Sequence, residues 1–249
     1  MEPITAPASM PTPSPRSGGV TVVIPTFNEG ESIGAVVASL PRDVVDRVIV
    51  VDGGSTDDTQ RQARSAGAEV IGVGRGYGLA CLTGAQASEP GDIVVFMDGD
   101  GADDPSAIAG MVAPIRAGEY DFVIASRVRG EREKGSMAFH QILAGRIAGW
   151  LTWRLYRVRY TDMCALRAIR RNTLLALAMR ELTYGWNLEM QMRVARARLR
   201  VLEVPVAYRR RLGGRSKVAG SLRGSIKAAV KIFATLARTA MEPGHKGTS

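Results

Sequence analysis

The chain has 249 residues, 45% of them hydrophobic, which suits one large folded domain rather than a disordered tail. Its formal charge of +9 implies anionic company: phosphates, nucleic acid or an acidic membrane surface. Two cysteines exclude a disulfide framework, and no unbroken apolar run is long enough to span a bilayer.

Residues 1–19 are rich in Pro, Ser and Thr and read as a disordered leader, neither signal peptide nor membrane span. Val20-Thr21-Val22-Val23-Ile24 is the first strand, stopped by Pro25, and Asn28-Glu29-Gly30 precedes a helix over Ser32 to Leu40. A second apolar run, Val48 to Val51, stops at Asp52-Gly53-Gly54. Ser55 and Asp58 read as a capping box for the helix that follows. A strand over Ala68 to Val73, a helix over Tyr77 to Ala87 and a strand over Ile93 to Met97 come next. Pro105 suits the first turn of a further helix, with Asp103 and Asp104 as its caps, and Asp121 to Ser126 holds the fifth strand. The pattern then changes. A long helix over Phe139 to Tyr156 carries Trp150 and Trp153, and a helix spans about residues 187–197. An edge-type strand follows over Leu199 to Val206, and an amphipathic helix over 221–241 precedes a flexible tail, 242–249.

Strands alternating with helices, the strands apolar almost throughout, predict a parallel sheet covered on both faces. Ligands of such sheets bind beyond the carboxyl ends of the strands. Asp52, the acidic run Asp98 to Asp104 and Ser126-Arg127 all fall there. Asp98-Gly99-Asp100 reads either as a polar turn or as two oxygen ligands for Mg²⁺ or Mn²⁺, with Gly99 leaving room for a ligand; the strand-end position favours metal. Asp52 reads as an acceptor for a ribose hydroxyl or base N–H, or as a turn residue bonding its own backbone. Between Arg193 and Lys217 stand nine arginines and lysines against the single Glu203, and Tyr208 to Lys217 is the strongest anion-binding candidate, or else a solvated basic loop. Nucleic acid is disfavoured, since no basic stripe is interleaved with aromatics. With His140 and His245 the only histidines, a His-built metal site is a poor fit. No dinucleotide-type or P-loop glycine motif follows the first strand.

VVIPTFNEGESI, VIVVDGGSTDDT, VVFMDGDGADDP, FVIASR, TDMCALRAIRR and EVPVAYRRRLGGRSK, in that order, resemble the family 2 glycosyltransferases. The resemblance is to the branch holding dolichyl-phosphate mannosyltransferase and bacterial polyprenyl-phosphate glycosyltransferases, and it covers residues 20–220. It implies a GT-A fold: α/β, a mostly parallel sheet flanked by helices, with a helical C-terminal extension. It implies metal-dependent, inverting transfer of a hexose from a GDP- or UDP-linked sugar to a polyprenyl phosphate. Carried over, Pro25, Asn28, Glu29, Asp52, Asp98 and Gly99 line the nucleotide site, and Asp98 and Asp100 hold the metal. Arg127 meets the acceptor phosphate, Asp162 lies on the acceptor side as a base or positioning residue, and Arg211, Ser216 and Lys217 close over phosphates. The chain departs from the branch at Ala165-Leu166, where Gly-Phe is common. The expected location is the cytoplasm, or the cytoplasmic face of the membrane if the 221–241 helix lies on anionic lipid rather than packing on the domain. Two alternatives stand beside this reading: transfer to a soluble hydroxyl acceptor, and a non-catalytic anion-binding module.

Overall fold

The computed structural model describes residues 18–133, 135–137, 139–213 and 238. Most of the expected leader, Ser216, Lys217, the 221–241 helix apart from Arg238, and the tail with His245 lie outside the described residues.

Seven strands form one mixed sheet in the order β3-β2-β1-β4-β6-β5-β7. They are β1 (Val20–Thr26), β2 (Arg47–Asp52), β3 (Glu69–Gly72), β4 (Ile93–Phe96), β5 (Phe122–Ser126), β6 (Arg167–Arg170) and β7 (Val201–Pro205). β1 pairs in parallel with β2 and β4, β2 with β3, and β5 with β7. Only β6 runs the other way, antiparallel to both β4 and β5. The register sets Thr26 beside Asp52 and Ser126 beside Pro205, so the carboxyl ends of β1, β2, β4 and β5 share one edge.

The helices are α1 (Ile33–Ala38), α2 (Thr59–Ser65), α3 (Tyr77–Ala87), α4 (Ala107–Arg116), α5 (Phe139–Tyr156), α6 (Arg171–Ala176) and α7 (Trp186–Arg196). α3 packs on β1 and β2, α4 on β4, β5 and β6, and α5 on α7. The central strands are apolar on both sides because both sides are covered: every residue of β4 and β5 is buried. Each fully buried Val or Ile contributes about 1.5–3 kcal/mol of transfer free energy. α3 approaches β1 closely at Gly84, where a Cβ would sit 2.3 Å from a Val23 methyl.

Three expectations about the elements need correction. β6 and α6 were not foreseen. Ser55 and Asp58 form no capping box: Ser55 turns back to Asp52, and Asp57 accepts the Thr59 amide at 3.1 Å instead. Asp103 caps nothing; it is buried and accepts the Asp98 amide at 3.2 Å. β7 is an edge strand ending at Pro205, as its proline suggested. The Ala165-Leu166 departure lies in the core, where the Leu166 carbonyl accepts the Ala125 amide at 3.0 Å.

Candidate active site

The site is built from the loops that leave β1, β2, β4 and β5. After β1 the chain turns through Asn28, whose φ of 50° is a left-handed conformation that asparagine tolerates. Its amide donates to Ser55 Oγ at 2.8 Å, and its Oδ1 accepts the Thr56 amide at 2.9 Å, tying the first loop to the second. Glu29 follows, buried, with its amide on Thr59 Oγ1 at 2.8 Å. A cavity of about 100 Å³ opens here, lined by Asn28, Glu29, Gly30, Glu31 and Asp57. Pro25 lies within β1, one residue before Thr26.

Asp52 ends β2 fully buried. It accepts the Ser55 amide at 2.9 Å and the Gln60 amide group at 2.8 Å, with the Ser55 hydroxyl on its other oxygen. This is the turn geometry offered as the alternative to ligand binding. Next to it the Arg75 guanidinium lies 3.5 Å from the Phe27 ring centroid.

Beyond β4, three carboxylates crowd one turn. Burial, then the negative neighbours Asp100 and Asp103, push the Asp98 carboxyl up to about 8, against the pull of Arg127 and a Tyr77 hydroxyl at 3.3 Å. Burial, then Asp100, push Asp103 up to about 6. Such a turn lacks positive charge. Oxygen donors on alternate residues suit a hard divalent ion. Among the described residues no third His, Cys, Asp or Glu completes a ligand set. That matches Mg²⁺- or Mn²⁺-type sites, where one or two carboxylates bind and substrate phosphates and water supply the rest. At Gly99 a Cβ would lie 3.0 Å from a Thr26 methyl and 3.3 Å from Ile24, so close packing on the core calls for glycine there.

Beyond β5, Arg127 is committed to Asp162. Nε donates to one carboxylate oxygen at 2.7 Å, Nη2 to the other at 2.8 Å, and the Arg127 amide adds a third bond at 3.0 Å. The two side chains are 14% and 2% exposed, and Arg127 lies 4.9 Å from the Tyr208 ring centroid. Burial pushes the Asp162 carboxyl up, but the hydrogen bonds and charge of Arg127 outweigh it and hold the group below its usual range. Beneath this pair Glu203 accepts the Thr161 amide at 2.8 Å and its hydroxyl at 2.9 Å, and Thr161 bonds Ser126 Oγ at 2.7 Å.

A strap leaves β7 and crosses back over the β4 turn. Tyr208 bridges to Asp103 and Arg132. The Arg209 amide donates to the Ala102 carbonyl at 3.0 Å, and the Leu212 amide to the Asp100 carbonyl at 2.9 Å. Arg211 then reaches Asp100 Oδ2 at 2.9 Å and Glu29 Oε1 at 3.5 Å. The basic stretch and the acidic turn, a hundred residues apart in sequence, therefore meet. Asn28, Glu29, Asp98, Asp100 and Arg211 come together, as do Arg127 and Asp162 beside them. Tyr77, Asp103 and Glu203, which neighbour these side chains, were not singled out as site residues; Tyr208 heads the basic stretch that was.

A mixed sheet with acidic, strap-covered strand ends is GT-A-like architecture. The family model for glycosyl transferase family 2 matches residues 21–177, and the chain belongs to that family. An uncharacterized glycosyltransferase of Mycobacterium tuberculosis is 39% identical over 84% of the chain and 94% of its own length. The undecaprenyl-phosphate mannosyltransferase of Micrococcus luteus is 32% identical over 88% of the chain and 95% of its own length. Glucosyl-3-phosphoglycerate synthase of Mycobacterium tuberculosis, solved with Mn²⁺, UDP and glucosyl-3-phosphoglycerate, superposes with a TM-score of 0.71. That match has 24% identity and covers 92% of this chain and 82% of the other. Its counterpart in Mycolicibacterium paratuberculosis is 36% identical over 44% of the chain and 37% of its own length.

These findings correct the expected branch and acceptor. The solved neighbours and the Mycolicibacterium relative are, by name, synthases that act on 3-phosphoglycerate, a soluble phosphorylated acceptor, and not on a polyprenyl phosphate. Arg127, the residue on which a lipid phosphate was to sit, has its guanidinium engaged by Asp162. The membrane surface was also expected from the basic charge and from the 221–241 helix, a segment that lies outside the described residues apart from Arg238. No described helix is long and apolar enough to cross a membrane. Arg238, the one described residue of the 221–241 segment, lies 3.4 Å from Glu181 and 3.5 Å from Glu189 of the domain.

Proposed function

We propose that the protein transfers glucose from UDP-glucose to a hydroxyl of a small, soluble, phosphorylated acid of the 3-phosphoglycerate class, with Mn²⁺ or Mg²⁺ as cofactor. The observation that carries this reading is the meeting of Arg211 with Asp100, one residue beyond Gly99 and two beyond Asp98, at the strand ends. Ligands of open α/β sheets bind beyond the carboxyl ends of the strands, and a structural neighbour of the same fold is solved with Mn²⁺ and UDP. Asp98 and Asp100 would hold the ion, which supplies positive charge to the departing diphosphate. Arg211 adds a second, fixed cation to the same leaving group. Asn28, Glu29 and Asp52 shape the nucleotide end, and Pro25 stiffens the chain that enters it. Asp162, held ionised by Arg127, is a weak base. It orients the acceptor side and keeps Arg127 aimed along it. The anionic acceptor suits the surplus of arginines on this edge.

The test is a product assay with purified protein, UDP-glucose and 3-phosphoglycerate, with Mn²⁺ or with chelator, read by mass spectrometry. Metal-dependent gain of one hexose on the acid supports the reading. Transfer confined to a lipid phosphate, or none to any phosphorylated acid, overturns it.

A further inference from the structure

Arg211 sits where a metal-binding carboxylate needs a cation. Its Nη2 is 2.9 Å from Asp100 Oδ2 and 3.5 Å from Glu29 Oε1. Nε of the same guanidinium is buried and has no hydrogen-bond partner among the described residues. The head group thus satisfies the carboxylates while one of its own donors is unsatisfied, a costly state for a buried polar atom. The strap around it is closed by backbone hydrogen bonds from Arg209 and Leu212. The Leu212 side chain covers Gly101, where an added Cβ would meet it at 2.6 Å. The cavity beside it, about 100 Å³, falls short of the roughly 300 Å³ at which small-ligand sites begin.

We infer that Arg211 is the resident counter-ion of Asp100 before the donor arrives, and that metal and nucleoside diphosphate displace it together. The inference rests on the metal-dependent donor reading above. Metal alone must compete with a cation already bound to Asp100. A diphosphate alone must draw Arg211 away and leave Asp100 uncompensated. When both bind, the ion takes the carboxylate and Arg211 takes phosphate oxygens, including a partner for Nε. Each ligand then raises the affinity of the other, by the same factor in both directions. The strap excludes metal from the donor-free enzyme and clamps the donor once bound.

The experiment is calorimetric titration of Mn²⁺ into the full chain, wild type and Arg211→Gln, with and without UDP. Without UDP, Arg211→Gln should bind Mn²⁺ about tenfold tighter than wild type, the scale of one charge-assisted contact. With UDP present, that advantage should vanish. Leu212→Ala, which loosens the strap without touching a charge, should shift Mn²⁺ affinity the same way by a smaller factor. It decides the matter if Arg211→Gln fails to fold. Equal or weaker Mn²⁺ binding by the variants without UDP overturns the inference and leaves the donor reading intact. Absence of Mn²⁺ binding in every form, UDP included, overturns both.

Discussion

Replacing Asp162 with Ala should destabilise the fold by about 3–5 kcal/mol, the range for removing one partner of a buried ion pair. The geometry places this site at the upper end. The carboxylate accepts Arg127 Nε at 2.7 Å and Nη2 at 2.8 Å, and also the amides of Arg127 at 3.0 Å and Met163 at 2.7 Å. Alanine leaves a guanidinium only 14% exposed, with the Tyr208 ring and the nearby Asp98 and Asp103 as its remaining electrostatic partners. Urea unfolding followed by both far-ultraviolet circular dichroism and tryptophan fluorescence reads the cost. With a slope of about 3 kcal/mol/M, the midpoint should fall by roughly 1–1.7 M. Adding Arg127→Met to Asp162→Ala removes the stranded charge and should recover about 2 kcal/mol. A loss under about 1 kcal/mol, or no recovery in the double variant, would refute the claim that the pair is held as a buried unit.

The same pair has an acid signature. Asp162 titrates below its ordinary 3.8 when folded, so its contribution is complete above that value and is lost as pH falls through the folded one. The wild-type urea midpoint should therefore drop more steeply below about pH 4 than that of Asp162→Asn. Asp100→Asn should lower kcat/KM for UDP-glucose by about 10²–10³ at saturating Mn²⁺, since charge at the leaving group is lost. A fall of less than about tenfold would place the metal elsewhere. Gly78→Ala puts a methyl 2.2 Å from the Glu181 carbonyl oxygen and should cost about 1–3 kcal/mol in thermal unfolding. Gly110→Ala in α4, with nothing within 4 Å, should instead raise stability by about 0.5–1 kcal/mol.

The sequence reveals strands where apolar runs end in charged turns. β1, β2, β4 and β5 were legible to within a residue or two because burial on both faces leaves no polar positions to confuse the pattern. β6 was not. Its four residues begin and end in arginine, and Arg167 is wholly buried, donating to the carbonyls of Cys164, Ala165 and Asn187. An arginine satisfied by backbone carbonyls looks in sequence like a surface residue. Asp103 was read as a cap for a related reason: a buried carboxylate and a turn carboxylate share the same neighbours in the chain. Glu203 passed as a stray acid in a basic stretch, yet the pairing of Ile124 with Glu203 sets it under Thr161. Both roles depend on sheet register across distant segments, which local patterns do not carry.

The strand hidden from sequence analysis also explains the strap. β6, inserted between β4 and β5, pushes β5 and β7 outward, so the chain leaving β7 emerges three strands from Asp100. At about 4.8 Å per strand that is roughly 14 Å, and Glu29 beyond β1 is a further spacing away, near 19 Å. Six Cα steps from Val206 to Leu212 reach at most about 20 Å. The backbone can therefore span to Asp100 with some slack but meets the β1 loop only at full extension. That is why the backbone bonds of the strap stop at Asp100 and the longer reach to Glu29 is made by a side chain. An arginine at 211 covers that distance and brings positive charge to both Asp100 and Glu29, which a shorter side chain at the same position would not reach together.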